Sequence, residues 1–216
     1  PRSFDRFPPN TMLLMCGTNE KDLEKWRNIG IPQGITSYVY SWCPNYCSRY
    51  VPMMTPASIE DQMRRLHRHN TRGIYRDGSP DLYGLQGPVA YVFGRFWDDP
   101  DNNTADALTR EFVEAAFGRA ALPMTQFYNA LYKGIAIYAD YLATRLEGWA
   151  KINDGFQLLG FLYPPKLLAE LNEALTRSEA AADNDRVRAR LALVRREFEW
   201  VRATVNVIHF YNAHAL

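Results

Sequence analysis

The polar pair Arg76-Asp77 stands where a short strand-like run ends. Residues 71–75 are rich in β-branched and aromatic side chains, which predicts a strand, and a glycine after Asp77 begins a turn-prone loop. Loops at the carboxyl ends of parallel strands are where α/β folds bind ligands. Arg76 could pair bidentately with a ligand carboxylate or with Asp81. Asp77 could bond the backbone of its own turn, hold ligand hydroxyl groups, or act as an acid or base.

Aromatic side chains accompany the same strand ends. Trp42 and Tyr46 follow a second strand-like run, residues 35–42, and Tyr75 and Tyr83 flank the loop at Asp77. Flat rings can stack on the faces of sugar rings, but they also fill cores, which is their more common role. These residues define our candidate substrate-binding set, which comprises Trp42, Tyr46, Tyr75, Arg76 and Asp77. Asp77 is also the one weak candidate for a catalytic group.

Metal and cofactor chemistry receives little support from the sequence. Three cysteines, an odd number, argue against a disulfide framework. Cys43 and Cys47 have a poor spacing for zinc and no second pair accompanies them. His67 and His69 lie near a polar helix end, where solvated or locally hydrogen-bonded histidines are the simpler interpretation. We therefore predict no metal and no cofactor.

The elements that would position these residues alternate between strand and helix. Residues 11–16 form a continuous apolar run, typical of a strand buried on both faces. A helix over 20–28 and another over 55–70 connect it to the strands at 35–42 and 71–75. This order predicts parallel strands with right-handed crossovers. Three strands make either a small open sheet or the last part of a (β/α)8 barrel, and a start at Pro1 instead of Met favours the barrel with further strands upstream.

Everything after residue 84 has helical periodicity. We predict helices over 85–97, 104–118 and 122–147, then two long helices joined by a short polar connection at 183–185. The short connection predicts an antiparallel hairpin. The last helix carries a heptad stripe, which one partner helix can cover, so an internal packing seam is favoured over a dimer zipper. The stripe consists of Val187, Leu191, Val194, Phe198, Val201, Val205 and Ile208.

The composition excludes some classes of partner. The 216 residues carry a net charge of +1 without a long like-charge run, so nucleic-acid binding has no electrostatic support. No apolar run approaches the roughly 20 residues that span a bilayer, and no signal peptide is visible in these residues. We therefore expect neither a nucleic-acid partner nor a membrane span, and the oligomeric state stays open.

Three segments carry a resemblance to a known family. Residues 87–100, GPVAYVFGRFWDDP, and 107–118, ALTREFVEAAFG, together with HNTRGIY at 69–75, resemble a bacterial domain family of unknown function found in glycoside-hydrolase-like proteins. Those proteins are similar to α-glucuronidases and β-hexosaminidases, which have a (β/α)8 barrel followed by helices. The resemblance spans about residues 11–141 and is most specific over 87–118. The family pattern often places an acid at the end of the third strand, whereas this chain has Arg76 there and Asp77 one residue later.

The resemblance implies glycosidic-bond chemistry on a complex polysaccharide. Such hydrolysis usually needs two carboxyl groups roughly 5–10 Å apart. Near the predicted strand ends stand only Glu20, Asp22 and Asp77, and the first two more simply complement a helix amino end. The catalytic pair is therefore expected on strands before Pro1. A periplasmic or extracellular location follows if the resemblance holds, and a cytoplasmic one stays open.

The sequence thus predicts the C-terminal part of a glycoside-hydrolase-like protein. Residues 1–84 would supply the last three β/α units of a TIM barrel, and residues 85–216 an α-helical domain ending in a helix hairpin. The segment would contribute substrate contacts and helical support, with a carbohydrate and the upstream barrel as its partners. A non-catalytic carbohydrate-binding protein and a helical structural or interaction protein are the alternatives.

Overall fold

Three short strands and eight α-helices make up the described part of the chain. The computed structural model describes residues 7–16, 19–39, 54–76, 83–144 and 155–214, without the side chains of 137–144 and 155–158. Strands and helices first alternate, as β1 (Leu13–Met15), α1 (Glu20–Ile29), β2 (Ile35–Val39), α2 (Pro56–Arg68) and β3 (Thr71–Arg76). Six helices follow, α3 (Gly87–Arg95), α4 (Ala105–Phe117), α5 (Ala121–Thr144), α6 (Gly155–Leu162), α7 (Pro165–Ala181) and α8 (Asp185–His214).

Local capping sets where several helices begin and end. The Thr55 hydroxyl accepts from the backbone N–H of Ser58, whose own hydroxyl accepts from the N–H of Thr55, and Pro56 occupies the first turn of α2. The Thr104 side chain caps α4 in the same way. At the other end of α4, Gly118 has φ +50°, which L side chains rarely adopt, and so it terminates the helix.

The three strands form one parallel sheet in the order β1-β2-β3. Leu13 pairs with Ile35, which pairs in turn with Thr71, and the register shifts by one residue after Ile35. Side chains alternate between the two faces of a strand. Met15 and Val39 therefore face the side where the buried stripe of α2 completes the core. This stripe consists of Ile59, Met63 and Leu66.

The predicted fold class, the end of a TIM barrel followed by helices, is wrong. The described chain is mostly helical and holds only this small sheet. In a barrel, strands are covered on both faces. Here the described helices leave the second face uncovered, since Leu14 is 56% and Tyr75 60% exposed. The apolar run at 11–16 suggested burial on both faces, but hydrophobicity alone does not determine what covers a strand, and Met12 is also exposed.

The helices pack on one another and on the covered side of the sheet. α2 contacts α3 and α4 as well as β3, and α5 lies along α7. Across the connection at 182–184, α7 and α8 pack side by side, where the Arg195 guanidinium bonds Glu179 and Asn172. All seven residues of the heptad stripe are buried within this single chain, which confirms an internal seam. None of the helices in the described ranges is both long and apolar enough to cross a membrane.

Candidate functional site

The open face of the sheet carries the most exposed aromatic surface near the strand ends. From the register, this face consists of Leu14, Thr36, Tyr38, Gly73 and Tyr75, and we call it the open face. The Tyr38 and Tyr75 rings lie across from one another, with centroids 4.9 Å apart and planes inclined by 35°. Gly73 adds no side chain beside them, so the ring pair stands above a shallow surface.

The structure separates two residues that the sequence grouped together. Tyr75 lies on the open face, whereas Arg76, as the next strand residue, points to the covered side. There its guanidinium lies over the Phe93 ring of α3, at 5.5 Å from the ring centroid. Packing on an aromatic face is a common structural use of arginine. Three further predicted residues, Trp42, Tyr46 and Asp77, lie outside the described residues.

The two acids that begin α1 have local partners. The Glu20 carboxylate lies 2.5 Å from Nε2 of His69 and within 4 Å of the guanidinium groups of Arg65 and Arg68. The hydrogen bond from His69 is the largest effect on Glu20 and lowers its pKa, and the neighbouring positive charges act in the same direction. The Asp22 carboxylate accepts from the side chain of Asn19. Neither acid forms a pair facing the tyrosines of the open face.

The histidines that the sequence placed near a helix end differ in their surroundings. His67 is partly exposed and lies 3.3 Å from an Asp101 oxygen, whereas His69 is buried beside Glu20. The second ring nitrogen of His69, Nδ1, has no hydrogen-bond partner among the described residues. Within the same residues, no three His, Cys, Asp or Glu side chains cluster as metal ligands would. The geometry of these histidines therefore points to structural pairing with neighbouring acids.

A buried glutamate that the sequence did not single out anchors the chain after the loop at Asp77. Glu197 of α8 is only 8% exposed, and its carboxylate accepts the backbone N–H groups of Gly84 and Leu85 at 3.0 and 2.7 Å. Burial raises the pKa of Glu197, and the two backbone hydrogen bonds oppose that effect. Glu197 lies beside the apolar heptad stripe, as several arginines of α8 also do, so no signal in the sequence distinguished it.

The segment that carries the family resemblance is held together by packing contacts. The Asn103 amide donates to the carbonyl of Arg95, and the Trp97 indole donates to the Met63 sulfur at 3.1 Å. The Arg64 guanidinium donates to the carbonyl of Asn103 at 2.8 Å. These contacts fix the polar turn between α3 and α4 against α2, so the turn has a structural explanation.

Comparisons with known proteins do not identify a family for this chain. No protein-family model, no curated protein and no solved structure matches it. The resemblance of residues 87–118 to a glycoside-hydrolase-associated domain therefore stays a prediction.

Proposed function

We propose that this chain binds carbohydrate, without hydrolysing it, through the open face of its sheet. The observation that carries the proposal is the pair formed by Tyr38 and Tyr75, whose rings adjoin on a face that the described helices leave open. The C–H groups of a sugar ring carry partial positive charge and pack against the negative face of an aromatic ring. Two adjoining rings offer such a surface to one or two sugar units.

The surroundings of the ring pair favour a neutral glycan over an acidic one. The other side chains of the open face are apolar or uncharged, and the Thr36 hydroxyl already donates to the carbonyl of Leu13 at 3.3 Å. Arg76, the one positively charged residue of the predicted substrate-binding set, packs on Phe93 on the opposite side of the sheet. Recognition would rest on ring stacking and on the exposed hydroxyl of Tyr75, which has no hydrogen-bond partner among the described residues.

The positions of the described carboxylates support binding without hydrolysis. A glycosidase needs one carboxyl group on each side of the scissile bond. Among the described acids, Glu20 and Asp22 stand closest in sequence after a strand end, and both are held by residues of α1 and α2 or their caps. Those partners stabilise the beginning of α1, and they keep both carboxylates away from the role of an opposed catalytic pair.

Affinity electrophoresis through gels containing soluble polysaccharides tests the proposal. The panel should include neutral glucans, mannans and xylans and one uronate-rich polymer. We expect Tyr75→Ala to weaken binding of a neutral polymer about tenfold, since a lost aromatic contact of roughly 1 kcal/mol plus lost apolar area approaches the ~1.4 kcal/mol of one decade. Tyr75→Phe should retain most of the binding because it keeps the ring.

Tyr211→Ala provides the matched control, because Tyr211 is a similarly exposed tyrosine of α8 that belongs neither to the open face nor to the strand ends. If a polymer slows the wild type and Tyr75→Ala equally in the gel, the sugar binds elsewhere than the open face. If no polymer slows the wild type, the proposed carbohydrate-binding function is refuted. A preference for the uronate polymer that Arg76→Gln abolishes would instead support the carboxylate-binding role predicted for Arg76 from the sequence.

A further inference from the structure

A second cavity, separate from the open face, lies among the helices. It has a volume of about 310 Å³ and is lined by residues of α3, α4, α5 and α8 together with Tyr83 and Gly84. Its described walls are mostly apolar and include five aromatic rings, and no residue of the open face contributes to it. We call it the aromatic groove. The rings that line it are those of Tyr83, Tyr91, Phe112, Phe117 and Tyr128.

Mutual packing holds the rings of the groove in place. Phe112 lies 5.6 Å from Tyr91, 6.2 Å from Phe117 and 6.4 Å from Tyr128, measured between ring centroids. Gly87 allows this arrangement, because a Cβ there would stand only 2.5 Å from the tip of the Phe112 ring. Rings that are already ordered lose little conformational freedom when a ligand enters.

One positively charged side chain lines the groove beside these apolar residues. Among the described residues that line the groove, Arg190 of α8 is the only charged one. Its Nη1 donates to the carbonyl of Ala116 at 2.7 Å and, more weakly, to that of Ala115. These bonds satisfy the carboxyl end of α4 and fix the guanidinium, while Nε and Nη2 have no hydrogen-bond partner among the described residues. An oriented arginine with one free edge suits a planar anion.

We propose that the aromatic groove binds a small carboxylic acid that carries one aromatic ring. The ring would lie among the tyrosine and phenylalanine side chains, and the carboxylate would pair with Nε and Nη2 of Arg190. A volume of 310 Å³ is at the small end for ligand sites, which suits a single ring with a short acidic arm. A phosphate dianion would call for more donors than this one arginine edge provides. The site is independent of the proposed carbohydrate face.

Titration of the full chain with 3-phenylpropionate and with its neutral amide tests this proposal. Backbone amide resonances of ¹⁵N-labelled protein, including those of Gly84 and Ala116, report where each probe binds. We expect the acid to bind at least tenfold more tightly than the amide. Arg190→Gln should remove that preference by weakening the acid at least tenfold and leaving the amide unchanged. Arg186→Gln is the matched control, since Arg186 is an exposed arginine of α8 that does not line the groove.

Ala115→Phe supplies a test that does not depend on charge. Ala115 is exposed at the groove wall, so a ring there should fill the cavity without disturbing the core and abolish binding of both probes. Equal affinities for acid and amide, an unchanged affinity in Arg190→Gln, or full binding by Ala115→Phe would each overturn the proposal. Absence of any binding by the wild type would do the same. Tyr75→Ala should leave both probes unaffected, which separates this site from the open face.

Discussion

Replacing Glu197 with alanine should loosen the chain at Gly84 and Leu85, just before α3. The carboxylate accepts from the N–H groups of Gly84 and Leu85, while the carbonyl oxygens of the same two residues accept from Tyr128 at 2.6 Å and Tyr132 at 3.0 Å. Every backbone polar group of this two-residue segment therefore has a buried partner. Removing the carboxylate leaves two largely buried N–H groups without their acceptor.

The expected loss can be estimated from these contacts. A hydrogen bond to a charged group contributes about 1.5–3 kcal/mol, and a buried N–H left unpaired costs about 1–3 kcal/mol. The cost of burying the Glu197 charge offsets part of the stabilisation from these hydrogen bonds, as its raised pKa indicates. We therefore expect Glu197→Ala to lower the free energy of unfolding by about 3 kcal/mol, which for a chain of this length lowers Tm by about 6–12 °C.

Urea unfolding followed by circular dichroism measures this difference. Glu170→Ala is the control, since Glu170 is an exposed glutamate of α7, and its effect should stay within about 0.5 kcal/mol. Because the folded pKa of Glu197 is raised, the stabilisation linked to its titration is complete below the ordinary value of 4.5 and declines as pH rises through the folded pKa. The advantage of wild type over Glu197→Gln should therefore narrow with rising pH. A loss below 0.5 kcal/mol in Glu197→Ala would refute the anchoring role.

Two further substitutions test contacts around α1 and α3. Gly87→Ala places a Cβ 2.5 Å from the Phe112 ring and should lower the free energy of unfolding by about 1–3 kcal/mol, as measured by thermal melts. Gly94→Ala, which adds a Cβ in open space on the same helix, should raise it by up to about 1 kcal/mol. Equal effects of the two substitutions would argue against the close approach of Phe112 to Gly87. Glu20→Gln should destabilise by under about 1 kcal/mol at pH 7, because the carboxylate is partly exposed. Because the pKa of Glu20 is lowered, the stabilisation by its carboxylate is present above the ordinary pKa of 4.5 and is lost as pH falls through the folded pKa. A stability difference between wild type and Glu20→Gln that is as large at pH 3 as at pH 7 would contradict the pairing with His69.

The order and type of most described elements could be predicted because they depend on local signals, although α6 was not among the predicted helices. Thr55 and Pro56 begin α2 as their residue types require, and Gly118 ends α4 where the periodic pattern stops. The heptad stripe of α8 gave the correct buried residues for a similar reason, since a period of 3.5 residues marks one side of a helix whatever covers it.

The features that depend on distant parts of the chain could not be predicted. An apolar run shows that a strand has two hydrophobic faces, but the number of strands and the packing of helices decide whether both are covered. Glu197 and its backbone partners are 112 and 113 residues apart in sequence, and nothing local marks that contact. The separation of Tyr75 from Arg76 was available from strand alternation, which would also have indicated Tyr38 as the partner of Tyr75.

The contacts of residues 87–118 bear on how far the family resemblance reaches. Gly87 is required by the close approach of Phe112, and Asn103 holds the carbonyl end of α3. The turn between α3 and α4 is fixed against α2 by Arg64. Packing alone would preserve such residues in any protein that joins these helices in this way, whatever its activity. These residues therefore carry no evidence of a reaction, and a test of carbohydrate binding is best directed at Tyr38 and Tyr75, the ring pair of the open face.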